Sequence, residues 1–267
     1  MQKEDLAFFR KWFSDYITDF YSSDPFVREN IELKAEHTKK VCENILLLAK
    51  AEKLGENESL LAETVALFHD LGRFEQFLKY KTFKDSESEN HAVLGVKILK
   101  KAGILSHLVP EESDIILKAV EYHNLMEIPE ATSNFPELLF YSRLIRDADK
   151  LDILRIICED YEEEDKCPNP ALELYLPDTP EYSKAVIEDI MNNRMAKIKD
   201  VKNRNDVKLL RLSWVFDINF PETFSLLKET RYLEIIMSSL PKTEEIRKVI
   251  RHLEAYLEKQ LLKKQSC

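Results

Sequence analysis

The chain contains no proline between Pro25 and Pro110, and apolar residues recur throughout that span at three- and four-residue steps. This spacing is typical of amphipathic helices that pack one face into a core. Only 4 glycines occur in 267 residues, which leaves few positions for the left-handed turns of β-hairpins. The sequence therefore predicts an all-α fold.

The helical pattern is interrupted once, in a stretch rich in proline and acidic residues between Glu162 and Pro180. Such a stretch predicts a domain boundary or a large surface insertion. Helical spacing resumes afterwards, and a last helix is expected from about Thr243, with an apolar stripe that includes Val249 and Leu253. We therefore expect helices on both sides of the break.

The net charge of -10 disfavours broad binding to the nucleic-acid backbone or to anionic lipid. No apolar run approaches the roughly 18 residues that a membrane span needs, and the N-terminal residues do not have the pattern of a signal peptide. We expect a cytoplasmic protein that binds neither membranes nor nucleic acids broadly. The sequence does not predict its oligomeric state.

Two helices carry histidines that are expected to point inward. His37 shares a face with apolar residues of its helix, and a single inward histidine is more often a hydrogen-bonded core residue than a ligand. The next helix is expected to end at His69 and Asp70, with Gly72 as its C-terminal cap. A carboxylate at a helix C-terminus is unfavourable unless a cation lies beside it, so this pair indicates either a bound metal or an exposed acid beside a core histidine.

Two further histidines are expected on apolar stripes. Asn90 or Ser88 can cap a helix that begins near His91, where the positive end of the helix dipole keeps the imidazole neutral, as a metal ligand must be. His123 continues the apolar stripe of another helix and also points inward.

The helix expected from about Pro136 to Cys158 is apolar on more than one face and contains three close carboxylates. Both Asp147 and Asp149 continue apolar stripes, so the periodicity does not choose between them. Unpaired carboxylates would strongly resist burial in such a helix. Cationic side chains could pair with them, and so could a metal ion.

The ordered set of these residues resembles the HD-domain superfamily, whose signature is H…HD…D with two further histidines in many members. The segments that carry the resemblance lie between about residues 30 and 160 and read AEH, ALFHDLGRFEQ, SENHAVLG, EYHN and RDADKLD. The resemblance implies an HD-domain-like helical core at 30–165. A helical extension at 1–29 would precede it, and a C-terminal helical subdomain at 166–267 would follow.

The resemblance also implies the ligands of a metal centre. The superfamily's core ligands fall on His37, His69, Asp70 and, in the D-x-D-K pattern, on Asp149. His91 and His123 match the additional histidines of binuclear members. Some binuclear members have another histidine where this chain has Asn124, so the resemblance implies one or two ions per chain.

A ligand set of imidazoles and carboxylates without thiolates suits Mn, Mg, Fe, Co or Ni. The resemblance implies a phosphohydrolase that uses a metal-bound hydroxide on a small phosphorylated metabolite or nucleotide. Arg73 and Lys150 could neutralise charge on the phosphate, or could simply pair with neighbouring acids. Two alternatives stay open, because some superfamily members with the same ligand order are di-iron oxygenases and a regulatory module could bind metal or nucleotide without turnover.

Overall fold

A computed structural model describes residues 1–162 and 170–265 of the chain. All regular secondary structure in these two ranges is helical, which confirms the predicted all-α class. Contacts within the chain divide it into two compact units, Met1–Asp152 and Ile153–Cys267. The predicted boundary between 165 and 166 lies outside the described residues, and the domain limits stay predictions.

The first unit begins with α1 (Lys3–Thr18), α2 (Pro25–Ala51) and α3 (Glu56–Phe68). It continues with α4 (Gly72–Tyr80), α5 (His91–Ala102), α6 (Pro110–Tyr122) and the part of α7 (Pro136–Glu162) up to Asp152. In its core, α3 packs against α1, α2 and α6, while α5 packs against α4 and α6. This arrangement brings the ends of α3, α5 and α6 toward one buried centre.

Local sequence explains where these helices begin and end. Asp24 caps α2 by accepting a hydrogen bond from the backbone N–H of Phe26, directly before Pro25 at the first helical position. Asn90 caps α5 in the same way, and Gly103 ends that helix with a positive φ of 65°. The predicted N-terminal cap of α5 is therefore confirmed, with Asn90 in that role.

Gly72 does not have its predicted role as the cap of α3, because it is the first residue of α4 and has no positive φ. Its lack of a side chain instead allows a close approach to α5. A Cβ atom on Gly72 would lie 2.1 Å from the backbone oxygen of His91 and 2.8 Å from the nitrogen of Gly95. Glycine is required here by packing between two backbones.

Replacing this glycine should destabilise the first unit. Gly72→Ala must push α4 away from α5, and overpacking of this kind typically costs about 1–3 kcal/mol. Gly55→Ala is a matched control, because the nearest atom to its new methyl would be the flexible Glu58 carboxylate. Urea unfolding of both variants measures the difference, and an equal loss of stability would contradict the close-approach role of Gly72.

The second unit contains α8 (Lys184–Met191), α9 (Arg204–Ser213), α10 (Pro221–Thr230), α11 (Tyr232–Ser238) and α12 (Glu244–Gln265). The last helix packs against α8 and α10, and Val249 and Leu253 on its predicted apolar stripe are fully buried. No helix in the described part of the chain is both long and apolar enough to cross a membrane.

Candidate metal centre

The junction between α3 and α4 places two functional groups at the centre of the first unit. His69 directly follows the last residue of α3, and its Nδ1 lies 2.7 Å from the backbone oxygen of Ala66. Asp70 follows in the short turn before α4, and its side chain is buried. The turn therefore directs the imidazole Nε2 and the carboxylate toward the same interior point.

Four of the predicted ligands form what we call the first group, made of His37, His69, Asp70 and Asp149. The Nε2 atom of His37 lies 3.2 Å from Nε2 of His69 and 3.1 Å from Oδ1 of Asp149. It also lies 3.5 Å from Oδ2 of Asp70. Residues from α2, from α7 and from the turn after α3 thus meet within a few ångströms.

The second group consists of Asp70, His91 and His123. The Nε2 atoms of the two histidines are 3.0 Å apart. Oδ1 of Asp70 lies 3.3 Å from Nε2 of His91 and 3.8 Å from Nε2 of His123. Asp70 therefore belongs to both groups and presents a different oxygen to each.

In each of the four histidines of the two groups, Nδ1 lies beside a hydrogen-bond acceptor. This contact indicates which ring nitrogen carries the proton. Nδ1 of His37 is 2.7 Å from Oδ2 of Asp152, and Nδ1 of His91 is 2.8 Å from Oδ2 of Asp85. Backbone oxygens accept from the Nδ1 atoms of the other two histidines, His69 and His123. With the proton on Nδ1, a neutral imidazole presents the lone pair of Nε2 to the centre.

The centre therefore concentrates lone pairs and negative charge that a cation would stabilise. In each of two trios, His37–His69–Asp70 and Asp70–His91–His123, one ligand atom per residue lies within 4.8 Å of the others. Two imidazole lone pairs at about 3 Å repel unless a proton or a cation lies between them. The donor set thus fits a divalent ion.

The ionisation of the carboxylates and of His37 agrees with this arrangement. Burial alone would raise the pKa of both carboxyl groups. Lys34 and His69 nevertheless hold the pKa of Asp70 well below its usual value. Hydrogen bonds and charge interactions with His37 and His69 lower the pKa of Asp149 in the same way. Burial and Lys34 oppose protonation of His37, but hydrogen bonds to Asp149 and Asp152 outweigh them and raise its pKa. The first group therefore attracts positive charge.

The pKa of His91 is shifted in the direction opposite to that of His37. Burial, followed by the charge of Arg73, lowers the pKa of His91 to about 3 despite its hydrogen bond to Asp85. The imidazole is consequently neutral at physiological pH, as expected from its position in the first turn of α5.

Two cations lie beside Asp70. Lys34 Nζ is 2.7 Å from Oδ2 of Asp70, and Arg73 Nε is 3.4 Å from Oδ1. Both charged groups also lie over the ring of Phe83, at 5.2 and 5.8 Å from its centroid. Lys34 was not among the residues singled out by the sequence, although it precedes His37 by three residues and therefore shares its helix face.

The second predicted cation, Lys150, is buried and donates a hydrogen bond of 3.4 Å to the backbone oxygen of Arg146. Of the two candidate acids on α7, Asp149 is the one whose contacts with His37 and His69 define the first group. Asp147 is fully buried, whereas the side chain of Asp149 is 15% exposed. The functional roles of Arg73, Lys150 and the six predicted ligands stay predictions.

The HD domain family model matches residues 35–154, a span that contains every residue of both groups. Residues 35–154 therefore form an HD domain, which confirms the predicted resemblance for this part of the chain. This family consists generally of metal-dependent phosphohydrolases. Comparisons with curated proteins and with solved structures gave no significant match.

Proposed function

We propose that this chain is a metal-dependent phosphohydrolase that acts on a small phosphorylated metabolite or nucleotide. The observation that carries the proposal is the shared carboxylate of Asp70, whose two oxygens face two separate sets of imidazole nitrogens. Such a geometry suits a pair of divalent ions, and HD-domain membership supports the same reaction class. A divalent ion supplies Lewis acidity and lowers the pKa of water.

The protein's own residues have distinct roles in this proposal. His37, His69 and Asp149 would hold an ion in the first group, while His91 and His123 would complete the second group. Asp70 would link the two. The Nδ1 hydrogen bonds keep the rings oriented before any ligand arrives, so little reorganisation is needed on binding.

The charge and exposure of the surroundings support an anionic substrate. The four histidines and Asp70 are at most 5% exposed, whereas the side chains of Asp149, Lys34 and Arg73 are each 15% exposed. A substrate would therefore approach on the side where these three side chains lie. Lys34 and Arg73 could pair with phosphoryl oxygens there and compensate the charge that develops during transfer.

The predicted alternative, a di-iron oxygenase, is favoured by one feature of the same centre. Four imidazoles accompany two carboxylates, and imidazole ligands suit iron. Lys34 and Arg73 beside Asp70 favour phosphoester chemistry over this alternative, because they match the charge of a phosphate. A binding module without turnover would have the same ligands but no reaction.

A screen of the metal-loaded protein separates these three functions. The chain is stripped with a chelator, reloaded separately with Mn, Mg, Fe, Co or Ni, and incubated with nucleotides, cyclic dinucleotides and sugar phosphates. We expect product release with at least one metal and none from the stripped protein. Iron-dependent oxygen consumption without hydrolysis would instead indicate an oxygenase, and ligand binding without either reaction would indicate a regulatory module.

A further inference from the structure

The connection between α4 and α5, residues 81–90, contributes a carboxylate to the outside of the second group. Asp85 in this connection lies 2.9 and 2.8 Å from Nδ1 of His91 through its two oxygens. Its Oδ1 also accepts hydrogen bonds from Arg73 at 3.1 Å and from Gln76 at 2.8 Å. Its Oδ2 accepts one from Asn124 at 3.1 Å.

Each of these four side chains presents an N–H group to the carboxylate of Asp85. An ionised carboxylate has only acceptors and can satisfy all of them at once. Asn124 is the position where some binuclear superfamily members have a histidine, and here its amide nitrogen is one of these donors. Asp85 is therefore the common acceptor of α4, α5 and the residue that follows His123.

The contact between Asp85 and Nδ1 of His91 determines which ring nitrogen of His91 carries the proton. The other ring nitrogen then presents its lone pair to the centre. Because Asp85 accepts from Nδ1, the proton is held there, and Nε2 is left free toward Asp70 and His123. The amide nitrogen of Asn124, which is a donor, lies 3.5 Å from the same Nδ1. Without Asp85, this donor would favour the opposite tautomer, with the proton on Nε2.

We propose that Asp85 is a positioning residue that fixes the tautomer of His91 and thereby makes the second group able to bind a cation. The inference rests on the metal centre of the proposed function. Asp152 has the equivalent position on the first group, where its Oδ2 lies 2.7 Å from Nδ1 of His37. The two acids thus give a matched pair of variants, one for each group.

The test follows the histidine ring nitrogens by NMR in protein labelled with ¹⁵N-histidine. In the metal-free wild type, we expect the His91 proton on Nδ1, and in Asp85→Ala we expect it on Nε2. Asp85→Asn retains one acceptor oxygen and should have a smaller effect, so it serves as the variant least disturbing to the fold. These signals report the tautomer without any measurement of activity.

A titration with Zn²⁺ then measures separately the zinc concentration at which the histidines of each group respond. In Asp85→Ala, we expect His91 and His123 to need about 10–100-fold more zinc than in the wild type, while the zinc concentration at which His37 and His69 respond changes far less. Asp152→Ala, the matched variant on the first group, should produce the reverse pattern.

Three outcomes would overturn the inference. The first is a wild-type His91 with its proton on Nε2, and the second is an unchanged tautomer and unchanged zinc response in both Asp85 variants. The third is a wild-type chain in which zinc moves no histidine signal, which would refute the metal centre as well. Failure to hydrolyse any phosphoester, with the expected NMR results intact, would refute only the proposed function.

Discussion

Asp70→Asn should empty both groups of the candidate centre, whereas Asp149→Asn should empty mainly the first. The reason is that Asp70 presents one oxygen to His37 and the other to His91, while the contacts of Asp149 are with His37 and His69. The amide of asparagine keeps one oxygen that can coordinate a metal, but this oxygen is a weaker ligand than a carboxylate oxygen and the group has no charge. We therefore expect the metal affinity of Asp70→Asn to fall by more than the 10–100-fold that loss of an outer partner costs.

Elemental analysis after dialysis against a buffer of low free-metal concentration measures this difference directly. Helical circular dichroism and the urea midpoint serve as controls, because a misfolded variant would also lose metal. We expect the amount of bound metal to decrease from the wild type to Asp149→Asn and again from Asp149→Asn to Asp70→Asn. An Asp70→Asn protein that keeps full occupancy would exclude Asp70 as the shared ligand.

The second large effect concerns turnover. Under the proposed function, His69→Ala should reduce hydrolysis to background, because it would remove a ligand of the first group and with it the ion that the proposed reaction uses. Lys34→Ala and Arg73→Ala should reduce kcat by about 10²–10³ and leave metal content normal, since each would remove one charge that is proposed to stabilise the transition state. The measurement is kcat together with the metal content of each variant.

Lys150→Ala tests the role that the sequence assigned to the lysine beside Asp149. The contact of Lys34 with Asp70 makes Lys34 the stronger candidate for the phosphate-binding cation. We expect Lys34→Ala to lose more activity than Lys150→Ala. If Lys150→Ala abolished turnover as fully as His69→Ala at normal metal content, Lys150 would act in proton transfer or substrate capture.

The helical class and the inward histidines could be predicted because both follow from spacing along regular helices. His37 and His123 lie on apolar stripes, and a period near 3.6 residues determines which side of the helix they occupy. The choice of Asp149 over Asp147 did not follow from spacing, since both acids continue apolar stripes, and it came from the family resemblance alone.

Other parts of the site depend on contacts that periodicity does not encode. Asp85 lies in an irregular connection, where no regular spacing gives the direction of its side chain. The close approach of Gly72 to His91 depends on how α4 packs against α5, and the local sequence resembled an ordinary helix cap. Lys34 and Asp152, by contrast, could have been found, because each lies three residues from a predicted ligand on the same helix.

In the proposed centre with two ions, the carboxylate that Asp70 shares between the two groups would make the two binding equilibria thermodynamically linked. An ion in the first group would fix the orientation of this carboxylate and draw on its charge, and so it would change the affinity of the second group by some factor. Linkage requires an ion in the second group to change the affinity of the first by the same factor. Metal titrations of this protein should consequently be described by one coupling free energy and two intrinsic constants rather than by two independent sites.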